Sequence, residues 1–258
     1  MLSQLNFNGQ AIVVTGAAHG IGRATCAVLT EMNARVYAID IRPDFEETVD
    51  NDRNTYGQNG VAIVADVSAE DQVSSIRDRI ESEVESLAAV VNVVGAEGNR
   101  QAVRDMALSE WSRVIEISLT SMFLMSRALL PLVERATGSF VNVASTHALV
   151  GLPLGNAYST AKAGVIGFTR QLATEVGSSG VRANSVCPGP VDTQSPSGHN
   201  PESVMSTVLG RFADASEIAN LIGFLASPAS SFMTGTAVVV DGGQTAHRGL
   251  VDLSRLRR

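Results

Sequence analysis

The chain has 258 residues, 45% of them hydrophobic, and no Pro-, Gly- or Ser-rich linker divides it. This length and composition predict one domain over 1–258, with 244–258 as a C-terminal tail. The net charge of -7 and the pI near 5.1 argue against nucleic acid and anionic membranes as partners. No apolar run approaches the roughly eighteen residues of a membrane span, and the first residues lack a signal-peptide pattern, so we expect a cytoplasmic location.

The first apolar run, 11–15, is typical of a buried parallel strand, and a glycine-rich loop over 16–22 and a helix over 23–32 follow it. Glycines allow close backbone approach, and the N–H groups at a helix start attract a pyrophosphate. The spacing is G-x-x-x-G-x-G rather than the general dinucleotide fingerprint, so a glycine-rich turn alone is the alternative. The loop residues predicted to bind a dinucleotide are Gly16, His19, Gly20, Ile21 and Gly22.

The second predicted strand, 35–39, ends at Asp40, where an acid can bond the ribose diol of the adenosine. A 2'-phosphate some 4 Å from this carboxylate would be opposed by roughly 4 kcal/mol per pair of unit charges. Asp40 therefore favours NAD over NADP. Arg42, or a protonated His19, could offset part of the repulsion, so NADP remains the alternative.

The remaining apolar runs alternate with helical segments. Five more parallel strands are predicted, each too continuously apolar for a half-exposed sheet: 61–65, 88–94, 140–143, 181–186 and 237–240. A helix over 71–87 buries one face, and Ser68 with Asp71 forms a capping-box pattern at its start. These elements predict an α/β protein with a doubly wound parallel sheet of about seven strands and helices on both faces.

The segment 110–133 differs from the other helices, because apolar side chains leave it little polar surface. Those side chains are Trp111, Ile115, Leu119, Phe123, Leu124, Met125, Leu129 and Leu132. Such a pattern implies a second buried face. Core packing alone would explain it, and an interface with a second copy of the chain is the other interpretation.

Tyr158 and Lys162 lie four residues apart in a predicted helix over 158–176, and Ser145 precedes the tyrosine by thirteen residues. Positions i and i+4 share one helix face, so the phenol lies beside the ammonium group. A tyrosine with a pKa of about 10 is a poor base at neutral pH, but a nearby cation favours the phenolate. With a hydroxyl from Ser145 to hold a substrate oxygen, the three suit acid/base chemistry on an alcohol or ketone.

Two other interpretations of this segment remain open. A surface tyrosine and lysine at this spacing arise often by chance. Ser159 and Lys162 also match the S-x-x-K pattern of serine acyl enzymes, although the accompanying S-D-N and K-T-G elements are missing.

Together the motifs resemble the short-chain dehydrogenase/reductase family in its compact single-domain form. The matching residues run over nearly the whole chain: Thr15, Gly16, Gly20, Ile21, Gly22, Asp66, Val67, Asn92, Gly95, Ser145, Tyr158, Lys162, Pro188–Val191, Thr193 and Asp241–Gly243. The resemblance implies a Rossmann-like fold, a nicotinamide cofactor and a homotetramer or homodimer in which the apolar segment 110–133 forms an interface; Asp40 favours NAD as the cofactor.

The resemblance also implies a role for each matching residue. Tyr158 would be the general acid/base, Lys162 would bind the nicotinamide ribose and lower the tyrosine pKa, and Ser145 would anchor the substrate oxygen. Asp66 and Val67 would meet the adenine. Asn92 would meet the loop near the ribose, and Val191 and Thr193 would meet the nicotinamide amide. Gly95 is a further cofactor-binding position.

Two positions depart from the family pattern. Val93 replaces a polar residue that ties down the central sheet, so packing must support the sheet there. Ser118 stands where the family places a fourth catalytic residue, an asparagine that holds a water in the proton relay to the lysine. Serine can still bond a water, with fewer groups and less reach, so we expect a working relay.

The substrate pocket is expected outside the carboxyl ends of the strands. Glu97, His147 and Asn156 follow these ends and are candidate substrate contacts, with solvated loop side chains as the alternative. The polar stretch 194–208 is short for a lid and favours a small or hydroxylated substrate, such as a polyol, a cyclic diol or a hydroxyacid.

The leading function is therefore an NAD-dependent oxidoreductase acting on CH-OH groups. An NADP-dependent ketone or 3-oxoacyl reductase and a catalytically weak nucleotide-binding regulator are the alternatives. Cys26 and Cys187 have neither C-x-x-C spacing nor a His cluster, so neither a disulfide framework nor a metal site is indicated.

Overall fold

Seven parallel strands form the central sheet of the computed structural model, which describes residues 2–193 and 207–246. They are β1 (Ala11–Thr15), β2 (Arg35–Asp40), β3 (Val61–Val64), β4 (Ala89–Asn92), β5 (Ser139–Val143), β6 (Arg182–Pro188) and β9 (Ala237–Val240). Two short strands, β7 (Val191–Asp192) and β8 (Ala213–Asp214), pair with each other. The sheet order is β3-β2-β1-β4-β5-β6-β9. The chain thus moves outward from β1 and returns beside it at β4, which confirms the doubly wound fold and opens a crevice there.

Helices cover both faces of the sheet. They are α1 (Gly20–Glu31), α2 (Phe45–Asn51), α3 (Arg53–Tyr56), α4 (Glu70–Glu83), α5 (Leu108–Ile115), α6 (Ser121–Arg135), α7 (Asn156–Val176) and α8 (Ala215–Ala226). Alternate strand residues enter opposite cores, as the strand period requires. Ile12 and Val14 pack in the core that contains Leu29 of α1 and Ile222 of α8. Val13 packs in the other core, with side chains of α4, α6 and α7.

The two edge strands are less buried than the sequence predicts. Val64 of β3 is 39% exposed and Val239 of β9 is 41% exposed. Their apolar runs indicated full burial, and that prediction is wrong at these positions because an edge strand has a neighbour on one side only. The predicted support at Val93 is confirmed: its side chain packs against the core that contains Ile12. Its backbone N–H also donates to the Thr15 hydroxyl at 3.1 Å.

The predicted capping box before α4 is wrong. Ala69 occupies the N-cap position, and no side chain caps the helix there. The Ser68 hydroxyl instead donates to the Asp66 carboxylate at 2.7 Å, so the predicted capping side chain is bonded within the turn after β3. The helix also ends at Glu83, with Val84 extended, rather than continuing to residue 87.

The long apolar segment is a continuous helical stretch over Leu108–Arg135 with a π-helical turn at Glu116–Thr120. It is long and apolar enough to cross a membrane, but a helix buried in a protein core passes the same test. Leu129 and Leu132 pack in the core against the sheet. Phe123 is 42% exposed and meets the Phe168 ring of α7 edge-on at 6.1 Å.

Candidate active site

The glycine-rich loop joins the carboxyl end of β1 to the start of α1. All five of its predicted dinucleotide contacts line one cleft of about 1000 Å³. A Cβ at Gly22 would lie 2.0 Å from the Gly16 carbonyl oxygen, so only glycine permits this close turn. The first turn of α1 has no acidic side chain. Its backbone N–H groups and positive dipole end therefore remain available to an anion, and the cradle fits a pyrophosphate.

Asp40 ends β2 and lines the same cleft. Its two carboxylate oxygens accept the N–H of Ala18 at 3.0 Å and the N–H of Arg42 at 3.2 Å. These bonds fix the carboxylate, and each oxygen keeps a lone pair for a ribose hydroxyl. The Arg42 Nε lies 3.9 Å from one Asp40 oxygen. Arg42 is thus a weak ion-pair partner of Asp40.

Most of the other predicted cofactor residues lie around this cleft. Five more of them line it: Asp66, Val67, Gly95, Val191 and Thr193. Asn92 does not line it. The Asn92 amide is buried and donates to the Asn142 side-chain oxygen at 2.9 Å and to the Ser126 hydroxyl at 3.3 Å. Asn92 therefore ties β4 to β5 and α6 instead of bordering the cofactor site.

Lys162 is the only lysine in the chain. Its ammonium group lies at the floor of the cleft, almost fully buried, and donates to the Val143 carbonyl at 2.8 Å. Burial lowers the pKa of Lys162 from 10.5 to about 8. A Cβ at Gly95 would lie 2.8 Å from the lysine Nζ. Glycine at this position thus makes room for the ammonium group.

Ser145 and Tyr158 line the cleft beside Lys162, as predicted. Burial raises the pKa of Tyr158 above 10, hydrogen bonding with the Ser145 hydroxyl offsets part of the rise, and the Glu97 carboxylate adds to it. The expectation of a lowered Tyr158 pKa is wrong for this structure. The lysine Nζ lies 6.0 Å from the tyrosine ring centroid, and the cost of desolvating a phenolate sets the direction of the shift.

Ser118 lies in the π-helical turn between α5 and α6 and is fully buried. Its hydroxyl accepts the N–H of Ala96 at 2.9 Å and donates to the Ala96 carbonyl at 3.3 Å. It does not line the cleft. These bonds hold the loop after β4 above Lys162, and the water-binding role of Ser118 stays a prediction.

The predicted substrate residues separate into two groups. Glu97 and His147 line the cleft, and the His147 ring meets the Tyr158 ring edge-on at 6.0 Å. Asn156 does not line it. The Asn156 amide donates to the Gln101 carbonyl at 2.8 Å and so supports the loop after β4.

Several cleft residues carry no pattern that the sequence would reveal. They are Arg100, Ile117, Thr146, Leu152, Pro153, Phe212 and Gln244. For Arg100 and Thr146, the position in the loop after a strand is the one available signal. Gln244 begins the expected tail, and its side chain accepts the Thr146 hydroxyl at 2.9 Å. The remainder of that tail, 247–258, and most of the polar stretch predicted as a lid, 194–206, lie outside the described residues.

Comparison with known proteins gives consistent matches over nearly the whole chain. A family model described as enoyl-(acyl carrier protein) reductase matches residues 16–245. The cis-4-hydroxycyclohexanecarboxylate dehydrogenase of Sinomonas cyclohexanicum is 37% identical over 93% of this chain and 98% of its own. The 3-oxoacyl-(acyl-carrier-protein) reductase of Vibrio cholerae is 34% identical over 93% of this chain and 98% of its own. The crystal structure of a short-chain type dehydrogenase/reductase from Mycobacterium marinum, 29% identical, superposes with a TM-score of 0.88 over 95% of this chain and 99% of that one.

Two glycine substitutions test the cradle. Gly22→Ala would force a Cβ into the Gly16 carbonyl, and we expect a loss of about 3 kcal/mol or more in the free energy of unfolding, together with loss of dinucleotide binding. Gly167→Ala is the control, because a Cβ there meets nothing within 4 Å in helix α7. It should stabilise the protein by roughly 0.4–1 kcal/mol. Urea unfolding measures the stability of the two variants, and cofactor titration measures their dinucleotide binding. Equal stability and equal binding in the two variants would contradict the close approach of Gly22 to Gly16.

The single lysine can be titrated directly. In protein labelled with ¹³C- and ¹⁵N-lysine, we expect one side-chain NMR signal that titrates near pH 8, because burial disfavours the ammonium form. Its absence in Lys162→Met would confirm the assignment. A midpoint near the ordinary 10.5 would show that the amine is solvated in solution.

The lowered pKa of Lys162 also predicts how the free energy of unfolding changes with pH. The folded-state pKa lies below the unfolded value, so between about pH 8 and 10.5 the unfolded chain binds more protons. Relative to Lys162→Met, the protein should become more stable as the pH rises through this window, by roughly 3 kcal/mol at most. Urea unfolding at pH 7.5 and 10.5 measures the difference.

Proposed function

The chain belongs to the short-chain dehydrogenase/reductase family of oxidoreductases, and we propose that it uses NAD(H) to interconvert a secondary alcohol and a ketone. One observation carries the proposal. Ser145, Tyr158 and Lys162 line the same cleft as the glycine-rich loop and Asp40, so a bound dinucleotide and a substrate oxygen would share one space.

The proposed chemistry assigns each side chain a step. When bound, the nicotinamide supplies or accepts the hydride. Ser145 holds the substrate oxygen against Tyr158, which donates a proton to the oxygen in ketone reduction and accepts it in alcohol oxidation. Because burial raises the pKa of Tyr158, the phenol is its form at neutral pH, and the residue is ready to act as an acid. Lys162 binds the nicotinamide ribose from the floor of the cleft.

Asp40 supports NAD rather than NADP. The carboxylate is held by two backbone N–H groups at the end of β2, so it cannot swing away from a 2'-phosphate without losing both bonds. The Arg42 Nε at 3.9 Å compensates only part of its charge. An NADP-dependent enzyme remains the alternative.

The substrate is proposed to be small or hydroxylated. A relative that is 37% identical is named for a hydroxycyclohexanecarboxylate, which is a ring bearing a secondary alcohol. The second candidate function, a 3-oxoacyl reductase, is supported by the 34% identical relative of that name. A regulator that binds the dinucleotide without turnover is the least supported, since Ser145, Tyr158 and Lys162 are all present in the cleft.

We further propose a cytoplasmic homodimer or homotetramer. Phe123 on α6 is 42% exposed, and Phe232, before the edge strand β9, is fully exposed. Two large apolar side chains on outer elements favour contact with further copies of the chain.

Removing the Tyr158 hydroxyl should abolish turnover and leave cofactor binding intact. We expect Tyr158→Phe to lower kcat by 100-fold or more for any alcohol that the protein oxidises, because the proton then has no donor or acceptor. NADH formation measures turnover, and fluorescence titration measures the cofactor Kd. A variant that keeps a tenth or more of the activity would assign the proton transfer to another group.

Neutralising Asp40 should shift the cofactor preference. We expect Asp40→Asn to lower the ratio of kcat/KM for NAD to that for NADP by roughly 100-fold, because the repulsion of a 2'-phosphate is lost. Asp44→Asn is the matched control: Asp44 also lies 3.9 Å from the Arg42 Nε but does not line the cleft. Equal effects of the two substitutions would refute the role of Asp40.

A further inference from the structure

Two cationic side chains of the Lys/Arg type line the cleft among the described residues, and they differ in their surroundings. Lys162 is buried and bonded to a backbone carbonyl. Arg100, in the loop after β4, is exposed and makes no hydrogen bond or ion pair with any residue of 2–193 or 207–246. A guanidinium group at a cleft wall, with all its donors available, is suited to a bidentate anion such as a carboxylate.

The backbone on both sides of Arg100 is fixed. The N–H of Asn99 donates to the Glu110 carboxylate at 2.8 Å. The carbonyl of Gln101 accepts the Asn156 amide at 2.8 Å. Arg100 is therefore presented at the cleft from an anchored segment, which lowers the entropy cost of holding a ligand there.

His147 connects Arg100 to the acid/base residue Tyr158. The charge of Arg100 acts on His147, whose pKa is lowered mainly by burial and further by this cation. The His147 ring in turn meets the Tyr158 ring at 6.0 Å. Arg100 thus acts on a residue that itself contacts the acid/base residue.

The remaining wall and the nearest acid restrict the shape of the ligand. Ile117, Leu152 and Pro153 give part of the cleft an apolar lining. Glu97 acts on Tyr158, raising its pKa, and it also acts on His147, where its charge opposes that of Arg100. A carboxylate next to the reacting carbon would meet the repulsion of Glu97, whereas one that extends past His147 would also meet the attraction of Arg100.

We propose that Arg100 binds a carboxylate that the substrate carries at a distance from the reacting carbon, across an apolar ring or chain. The inference rests on the proposed alcohol–ketone chemistry and specifies its substrate class. The preferred substrates are then distal hydroxy- or oxo-carboxylates, and 2-hydroxy acids are poor substrates. Arg100 is a specificity-determining residue and takes no part in proton or hydride transfer.

Equilibrium binding tests the inference without requiring turnover. Calorimetry with saturating NADH compares cyclohexanecarboxylate with its neutral isostere, cyclohexanecarboxamide. We expect the carboxylate to bind more tightly, and Arg100→Met to weaken it by roughly 10- to 100-fold while changing the carboxamide less than about twofold. Arg104→Met is the matched control, because Arg104 is an exposed arginine four residues along that pairs with Asp105 and does not line the cleft.

Kinetics separate this inference from the proposed function. With 4-hydroxycyclohexanecarboxylate as substrate, Arg100→Met should raise KM by a similar factor and leave kcat nearly unchanged, and 4-hydroxycyclohexanecarboxamide should be insensitive. If neutral alcohols turn over but Arg100→Met leaves the KM of carboxylate substrates unchanged, the inference fails and the proposed function stands. If no alcohol or ketone turns over, yet carboxylate binding still depends on Arg100, the proposed function fails and the anion site stands. Equal weakening of both ligands in Arg100→Met would overturn the anion site.

Discussion

The parallel register of the sheet is the constraint on which the site depends. Because every strand runs the same way, the carboxyl ends of β1, β4, β5 and β6 meet at one edge, and the change of direction between β1 and β4 opens that edge into a cleft. The Thr15 hydroxyl fixes the opening by accepting the N–H groups of Val93 and Val94. Site residues that are distant in sequence therefore meet because the strand ends that carry them meet.

The loop after β4 connects the two halves of this cleft. Gly95 leaves space for the lysine Nζ below it, Ser118 holds Ala96 by both backbone groups, and Glu110 and Asn156 anchor the segment farther along. The departure from asparagine at position 118 is thus compatible with an ordered loop. The serine hydroxyl satisfies the Ala96 N–H and carbonyl together, which a buried turn requires. The same short segment borders both the cofactor side and the substrate side of the site.

Sequence reasoning succeeded where a function depends on local spacing at the end of a strand. The glycine-rich loop, Asp40 and the tyrosine–lysine pair have such spacing, and the apolar runs predict the seven strands of the sheet. It failed where tertiary surroundings decide. The pKa of Tyr158 rises because the phenol is buried, although a cation lies 6.0 Å from its ring centroid, and residue spacing alone does not reveal that burial. Arg100 is a lone arginine in a loop, and its position at the cleft wall becomes visible only once the chain is folded.

The use of arginine for every cationic side chain except Lys162 has a practical and a physical consequence. Guanidinium groups keep their charge throughout the alkaline range, so the outer surface retains its positive charges while the amine in the cleft loses its own. Alkaline titration of the basic side chains is thereby confined to the cleft and leaves the surface cations unchanged. Aldehyde fixatives and amine-directed cross-linkers, which consume surface lysines in other proteins, find no exposed lysine on this one, and the single lysine amine lies at the floor of the cleft.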